Sequence, residues 1–154
     1  MPIRYEVLAD ALAGALQECL GIIAREVDLR ELAVFGLYTS GELNYLGPTA
    51  ETKSRWPSLP FQWSPADWVF HGIAQDAFKE VDALLLEGWR DGCDTFDVDA
   101  ERLVPLIVSI LADVRRRAFT GTDVLVGLFV AGGHRWTDQS VEMINPPKVA
   151  LRYR

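Results

Sequence analysis

Apolar residues recur at mostly three- and four-residue spacings along residues 5–27. Leu8, Leu12, Leu16, Cys19, Leu20 and Ile23 share one face, with Glu6, Asp10, Gln17, Glu18 and Arg25 between them. That period predicts an amphipathic helix whose apolar stripe implies a sheet to bury against. The pattern changes over residues 33–39, a short run rich in Val, Phe, Leu and Tyr that ends at Ser40-Gly41; residues 43–46 are again apolar and aromatic before Gly47-Pro48. Two strand-like runs around a Gly-containing connection predict a hairpin.

Ser64-Pro65-Ala66-Asp67 has the form of a helix start, with a Ser cap, Pro at the first helical position and an acid at the third. It predicts a helix through Trp68 and Phe70, with Gly72 as a break. Ala74, Phe78, Val81 and Leu85 then keep helical spacing as far as Trp89, where Gly88 and Gly92 stop it. Leu103, Ile107, Ile110, Leu111, Val114 and Ala118 predict another helix, capped by Asp97 or Asp99, in which Pro105 demands a late start or a kink. Residues 124–130 are uninterrupted apolar residues between Gly121 and Gly132-Gly133, the signature of a strand covered on both faces and hence of the central strand. Gly132-Gly133 reads as a turn, with no helical pattern at His134-Arg135-Trp136; residues 140–144 suit one short helical turn ended by Asn145-Pro146-Pro147. The order predicts an α+β fold, a small mostly antiparallel sheet (hairpin plus a late central strand) packed by three or four helices.

Length and composition bound the function. With 154 residues, 49% of them apolar, one domain over residues 1–154 closes an ordinary core without disulfides or a metal. Fifteen Lys and Arg against 22 Asp and Glu give a charge of -7, which repels a phosphate backbone and excludes nucleic acid as the expected partner. The basic run Arg115-Arg116-Arg117 falls at a helix C-terminus, where it complements the macrodipole and solvates the end. The longest apolar stretch, residues 103–112, is broken by Pro105 and Ser109 and falls short of the roughly 20 residues a bilayer span needs. No charged and then apolar leader follows Met1, so the cytoplasm is the expected compartment. Cys19 and Cys93 have no metal or redox spacing and read as unrelated thiols.

No phosphate-binding, nucleophile-elbow, zinc or Ca²⁺ motif occurs, so no cofactor, metal or catalytic residue is assigned. His71 and His134 are the residues that titrate near neutrality, and His134 has Asp138 and Glu142 close in sequence. Asp91, Asp94, Asp97, Asp99 and Glu101 form the densest acidic stretch, a candidate surface for a basic partner. Trp56, Phe61, Trp63, Trp68 and Phe70, interleaved with prolines, form either a satellite core under a long loop or the lining of a groove. In a groove, Glu51, Trp63, Asp67, Trp68, His71 and His134 are the candidate ligand-binding residues.

Val34-Phe35-Gly36-Leu37-Tyr38-Thr39, Leu46-Gly47-Pro48-Thr49-Ala50-Glu51-Thr52, Trp63-Ser64-Pro65-Ala66-Asp67-Trp68 and Ser140-Val141-Glu142-Met143-Ile144-Asn145-Pro146-Pro147 together resemble a bacterial family known as domain of unknown function 4303. The similarity covers most of the chain. It implies an α+β fold and, by likeness to some members, a role among the accessory or immunity proteins of toxin systems; it carries no catalytic residues. Members have Asn-Thr-Glu after the second strand where this chain has Ala50-Glu51-Thr52, which weakens that spot as a shared active site. The expectation is a cytoplasmic, non-enzymatic protein-binding domain, an immunity-type inhibitor whose acidic surface meets a basic toxin. The alternative is a small-molecule-binding protein or hydrolase using the aromatic loop of residues 56–70, and a third reading is a homodimeric structural module.

Overall fold

The computed structural model describes residues 3–59, 61–90, 96–132 and 135–153. It shows an α+β fold with a mixed three-stranded sheet. Helix α1 (Tyr5–Glu26) leads into β1 (Leu32–Thr39) and β2 (Gly47–Thr52). The chain then makes short 3-10 turns at Trp56–Ser58, Pro65–Asp67 and Gln75–Phe78. Helices α2 (Lys79–Arg90) and α3 (Phe96–Ala118) carry it to β3 (Leu125–Val130), α4 (Arg135–Ile144) and the short α5 (Pro147–Ala150). A 3-10 turn over Leu151–Tyr153 follows.

The strand order is β2-β1-β3, with β1 antiparallel to β2 and parallel to β3. The late strand is therefore an edge, and the first strand is the centre. Residues 124–130 look central because both faces of β3 are covered and α4 closes its outer side, so an edge strand acquires a central strand's apolar run. The sheet is mixed because α2 and α3 carry the chain across one face before β3, which brings it back parallel to β1.

The second strand begins at Gly47, where the pattern placed its end. Pro48 belongs to it, opposite Leu37. The Pro48 and Ala50 carbonyls point away from β1 and accept from the Gly72 and Phe70 N–H groups at 2.9 and 3.1 Å, so the N–H that Pro48 lacks lies on the outer side, where no ladder bond is lost. The predicted helix through Trp68 is only the 3-10 turn Pro65–Asp67; Ser64 hydrogen-bonds the Asp67 carboxylate instead of capping the backbone, and Trp68 is extended. Extension is what lets residues 70 and 72 line the β2 edge. α3 is already helical at Phe96, so Asp97 and Asp99 lie within it, and it runs through Pro105. Pro105 and Glu101 are both exposed, so water can satisfy the carbonyl that Pro105 leaves without a donor.

Alternation along the strands separates two cores. Phe35, Leu37, Val126, Leu128 and Val130 face Leu8, Leu12, Leu16 and Ile23 of α1 together with Phe78, Leu85, Ile107 and Leu111. Val34, Leu125 and Phe129 face Trp68, Val141 and Val149. By length and composition α1 could cross a bilayer, a property missed by seeking the longest uninterrupted apolar run; in this structure Leu8, Leu12, Ala15, Leu16, Cys19 and Ile23 are buried in the core. Burial pushes the Cys19 thiol up to about 12, so it stays protonated and inert at neutral pH.

The outer rim of β3 is closed by side chains of α4 and the residue after it. Thr137 Oγ1 accepts from Val130 N–H at 2.9 Å, Ser140 Oγ from Leu128 N–H at 2.9 Å and Asn145 Oδ1 from Val126 N–H at 2.8 Å. Asn145 Nδ2 donates to the Val126 and Val141 carbonyls at 2.7 and 2.9 Å. α4 is thus ten residues long and starts at Arg135, not one turn from residue 140.

Arg115 ties α3 to this rim. It is 6% exposed and donates from Nε to Asn145 Oδ1 at 3.1 Å and from its two Nη groups to the carbonyls of Phe119, Thr122 and Val124. Arg116 and Arg117 stay at the surface, paired with Asp113, so only these two match the expected solvated helix end. Burial holds the Arg115 guanidinium below its usual range, and neutral carbonyls at the negative end of α3 replace its water.

Asn145→Ala would leave the Val126 N–H and C=O and the Arg115 Nε–H buried without these partners. At about 1–3 kcal/mol for each of the three groups it should cost at least about 3 kcal/mol. Ser140→Ala strands mainly the Leu128 N–H and should cost about 1–2 kcal/mol. Urea midpoints of the two variants measure this, and equal losses would contradict the rim-closing role of Asn145.

Candidate functional site

The second face of the sheet is built around two glycines. A Cβ on Gly36 would lie 2.0 Å from the Gly127 carbonyl oxygen and 2.7 Å from the Phe129 ring; one on Gly127 would meet that ring at 3.1 Å. The bare backbone of β1 and β3 therefore leaves room for the Phe129 ring against it. Trp63 stacks over Phe129 at 6.4 Å and 25°, and Trp68 meets Phe129 edge-on at 5.1 Å and 84°. Trp56 and Tyr153 each stand at 75° to Trp63, 4.9 and 4.8 Å away. Trp68 Nε1 donates to the Gln62 carbonyl at 2.8 Å, and Gln62 Nε2 donates to the Trp56 carbonyl at 3.1 Å. The aromatic loop is thus a satellite core on the strand face, with Trp63 and Tyr153 half-buried at its open side.

Two clefts flank that pair. One, of about 530 Å³, is lined by Trp63, Tyr153, Val141, Ala150, Asp138 and Glu142, and continues along Glu142, Pro147 and Leu151. The other, of about 210 Å³, lies between Tyr38, Trp63, Pro65, Phe129 and Thr137. Asp138 and Glu142 stand one turn apart on α4, on the side that also carries Val141. The Tyr153 hydroxyl is pushed above its usual range, by burial first and then by the neighbouring Asp138 carboxylate, so it stays protonated at neutral pH.

The residues singled out from sequence scatter around this site. Trp63 lines both clefts, whereas Trp68 is buried beneath. Glu51 is fully buried and acts as a latch: one carboxylate oxygen accepts from Thr52 N–H at 2.8 Å, the other from Val69 N–H at 3.0 Å, and Arg55 Nη1 lies 3.6 Å away. Asp67 is exposed and accepts from Ser64 Oγ at 2.8 Å. His71 is exposed, its Nδ1 3.3 Å from Thr49 Oγ1 and its ring edge-on to Tyr38. Thr49 donates its one hydroxyl proton to the Pro65 carbonyl, so Nδ1 is the donor to Thr49. Glu51, Asp67 and His71 are not among the residues that line either cleft.

His134, Asp91 and Asp94 lie outside the described residues, and Asp97 and Asp99 lie in the first turn of α3. Glu101 is exposed beside a separate groove of about 590 Å³ between α3 and α4, which Val104, Pro105, Trp136 and Met143 also line. Sequence reasoning treated Asp138 and Glu142 only as neighbours of His134 and passed over Tyr153; the signal present was the four-residue spacing of the two acids.

Among the described residues no three His, Cys, Asp or Glu side chains come together as a metal site. No buried side-chain nitrogen or oxygen among them lacks a hydrogen bond. No family model, curated protein or solved structure matches this chain.

Gly36→Ala should cost about 3 kcal/mol by forcing β1 and β3 apart and lifting Phe129, and Gly127→Ala, with its looser contacts, about 1 kcal/mol. Denaturant midpoints and the near-ultraviolet circular dichroism of the tryptophans test the order, which would be reversed or absent if Phe129 did not lie on the glycines.

Proposed function

We propose that this chain is a cytoplasmic protein-binding domain that meets a basic protein, in the manner of an immunity protein that occupies a toxin. The observation that carries the reading is where the polar chemistry sits. Its buried polar side chains, Glu51, Thr49, Thr137, Ser140, Asn145 and Arg115 among them, are engaged in holding strands and turns. The carboxylates of Asp138 and Glu142 edge an open, aromatic-walled groove. A charge of -7 and a pI near 4.8 favour encounter with a positive surface. The resemblance to domain of unknown function 4303 points the same way.

The small-molecule alternative has the clefts beside Trp63 in its favour: the one toward Tyr38, of about 210 Å³, is below the roughly 300–1,000 Å³ of ordinary ligand pockets, and the one along α4, of about 530 Å³, is within that range.

Affinity capture of the tagged chain from its host tests the proposal. At about 50 mM NaCl a stoichiometric partner of pI above that of most proteins should be retained, with retention falling as salt rises to about 300 mM. Capture of no basic protein at either salt would overturn it.

A further inference from the structure

We infer that the aromatic loop is a conformational unit that opens at its neck ahead of the rest of the fold, and that the Glu51 carboxylate is the staple that keeps it shut. The device is independent of what the chain binds. The described part of the loop, residues 55–59 and 61–69, leaves the sheet after β2 and returns to the β2 edge at Phe70. Both ends meet one buried carboxylate. Glu51 accepts from Thr52 N–H at 2.8 Å on the outgoing side and from Val69 N–H at 3.0 Å on the returning side, and Arg55 Nη1 lies 3.6 Å from the second oxygen. A carboxylate offers two acceptor oxygens here, whereas a carboxamide would offer one.

The hinges are set by what stays tied down. Lys53 N–H donates to the Glu31 carbonyl at 2.8 Å and its ammonium pairs with Asp123 at 2.7 Å, so the outgoing hinge falls after Lys53. Phe70 is buried in the larger core and its N–H is bonded to Ala50, so the returning hinge falls between Val69 and Phe70. Between these points the loop is bonded to itself: Trp68 Nε1 to the Gln62 carbonyl, Gln62 Nε2 to the Trp56 carbonyl and Ser58 Oγ to the Arg55 carbonyl. Its grip on the body is mainly of rings, Trp63 and Trp68 on Phe129 and Trp63 on Tyr153, with Thr49 Oγ1 donating to the Pro65 carbonyl at 3.0 Å. Those rings belong to the smaller core, across the sheet from the α1 core. Opening therefore gives up contacts on one face and leaves the other packed. It also withdraws Trp63 from both clefts, so the neck decides whether those clefts exist.

Hydrogen exchange of the full chain, read by NMR across low urea concentrations, tests the device. The indole and backbone N–H groups of the buried Trp68 report the loop, and the amides of Leu12 and Leu16, on the buried stripe of α1, report the larger core. After correction for intrinsic rates, the wild-type Trp68 groups should exchange at least about tenfold faster than Leu12 and Leu16, and with a smaller urea slope. Glu51→Ala should speed the Trp68 groups about tenfold further and leave Leu12 and Leu16 within about twofold. Glu51→Gln, which keeps one acceptor, should fall between. Equal opening of loop and α1 in the wild type, a Glu51→Ala effect shared by both sets, no change at Trp68, or a Glu51→Ala chain that does not fold would each overturn the inference.

Discussion

A three-stranded sheet has two outer rims for one interior strand, and each rim carries backbone groups that need partners once helices and loops bury them. Here the two rims are closed by different chemistry. β2 is lined by the backbone of residues 70 and 72, held in place through the Val69 N–H on Glu51. β3 is lined by hydroxyl and amide side chains from α4 and Asn145. Much else follows from these closures: the extended path after the Pro65–Asp67 turn, the placement of α4, and the course of the chain from α3 to β3, gripped by Arg115 through Asn145.

Asn145 is the point where these constraints meet. Its amide occupies both backbone groups of Val126, accepts from Arg115 and donates to the Val141 carbonyl near the end of its own helix. A residue that reads in sequence as a helix stop before two prolines is thereby a surrogate strand residue. The buried guanidinium beside it has carbonyls for company instead of a carboxylate, which suits the end of a long helix better than it would suit an open core.

What the sequence made legible followed apolar periodicity. α1, β1, α2, α3 and the extent of β3 lie close to where their patterns put them, because each buries an apolar stripe or run. The misplacements all occur where polar or proline residues do structural work. α4 turns Thr137 and Ser140 inward to serve β3, so Trp136 is the one apolar residue on its buried face ahead of residue 140. β2 includes Gly47, Pro48, Thr49, Glu51 and Thr52, which read as turn and surface, yet all six of its residues are buried. The site was legible in one of its aromatic walls, Trp63, and illegible in its acids, since Asp138 and Glu142 matter only once Tyr153 returns beside them from the chain terminus. Glu51 attracted attention as a possible ligand group for the reason that makes it a good latch: a carboxylate whose two oxygens can accept several donors.

Phe129 lying on Gly36 and Gly127 sets the height of everything stacked above it. Because backbone and not side chains forms the seat, Trp63 rests on a platform with few rotatable bonds beneath it, and Tyr153 leans on Trp63 from the last turn of the chain. A surface assembled this way is stiff before it meets anything. Its entropy of ordering is spent during folding, so an incoming group would lose mainly its own freedom.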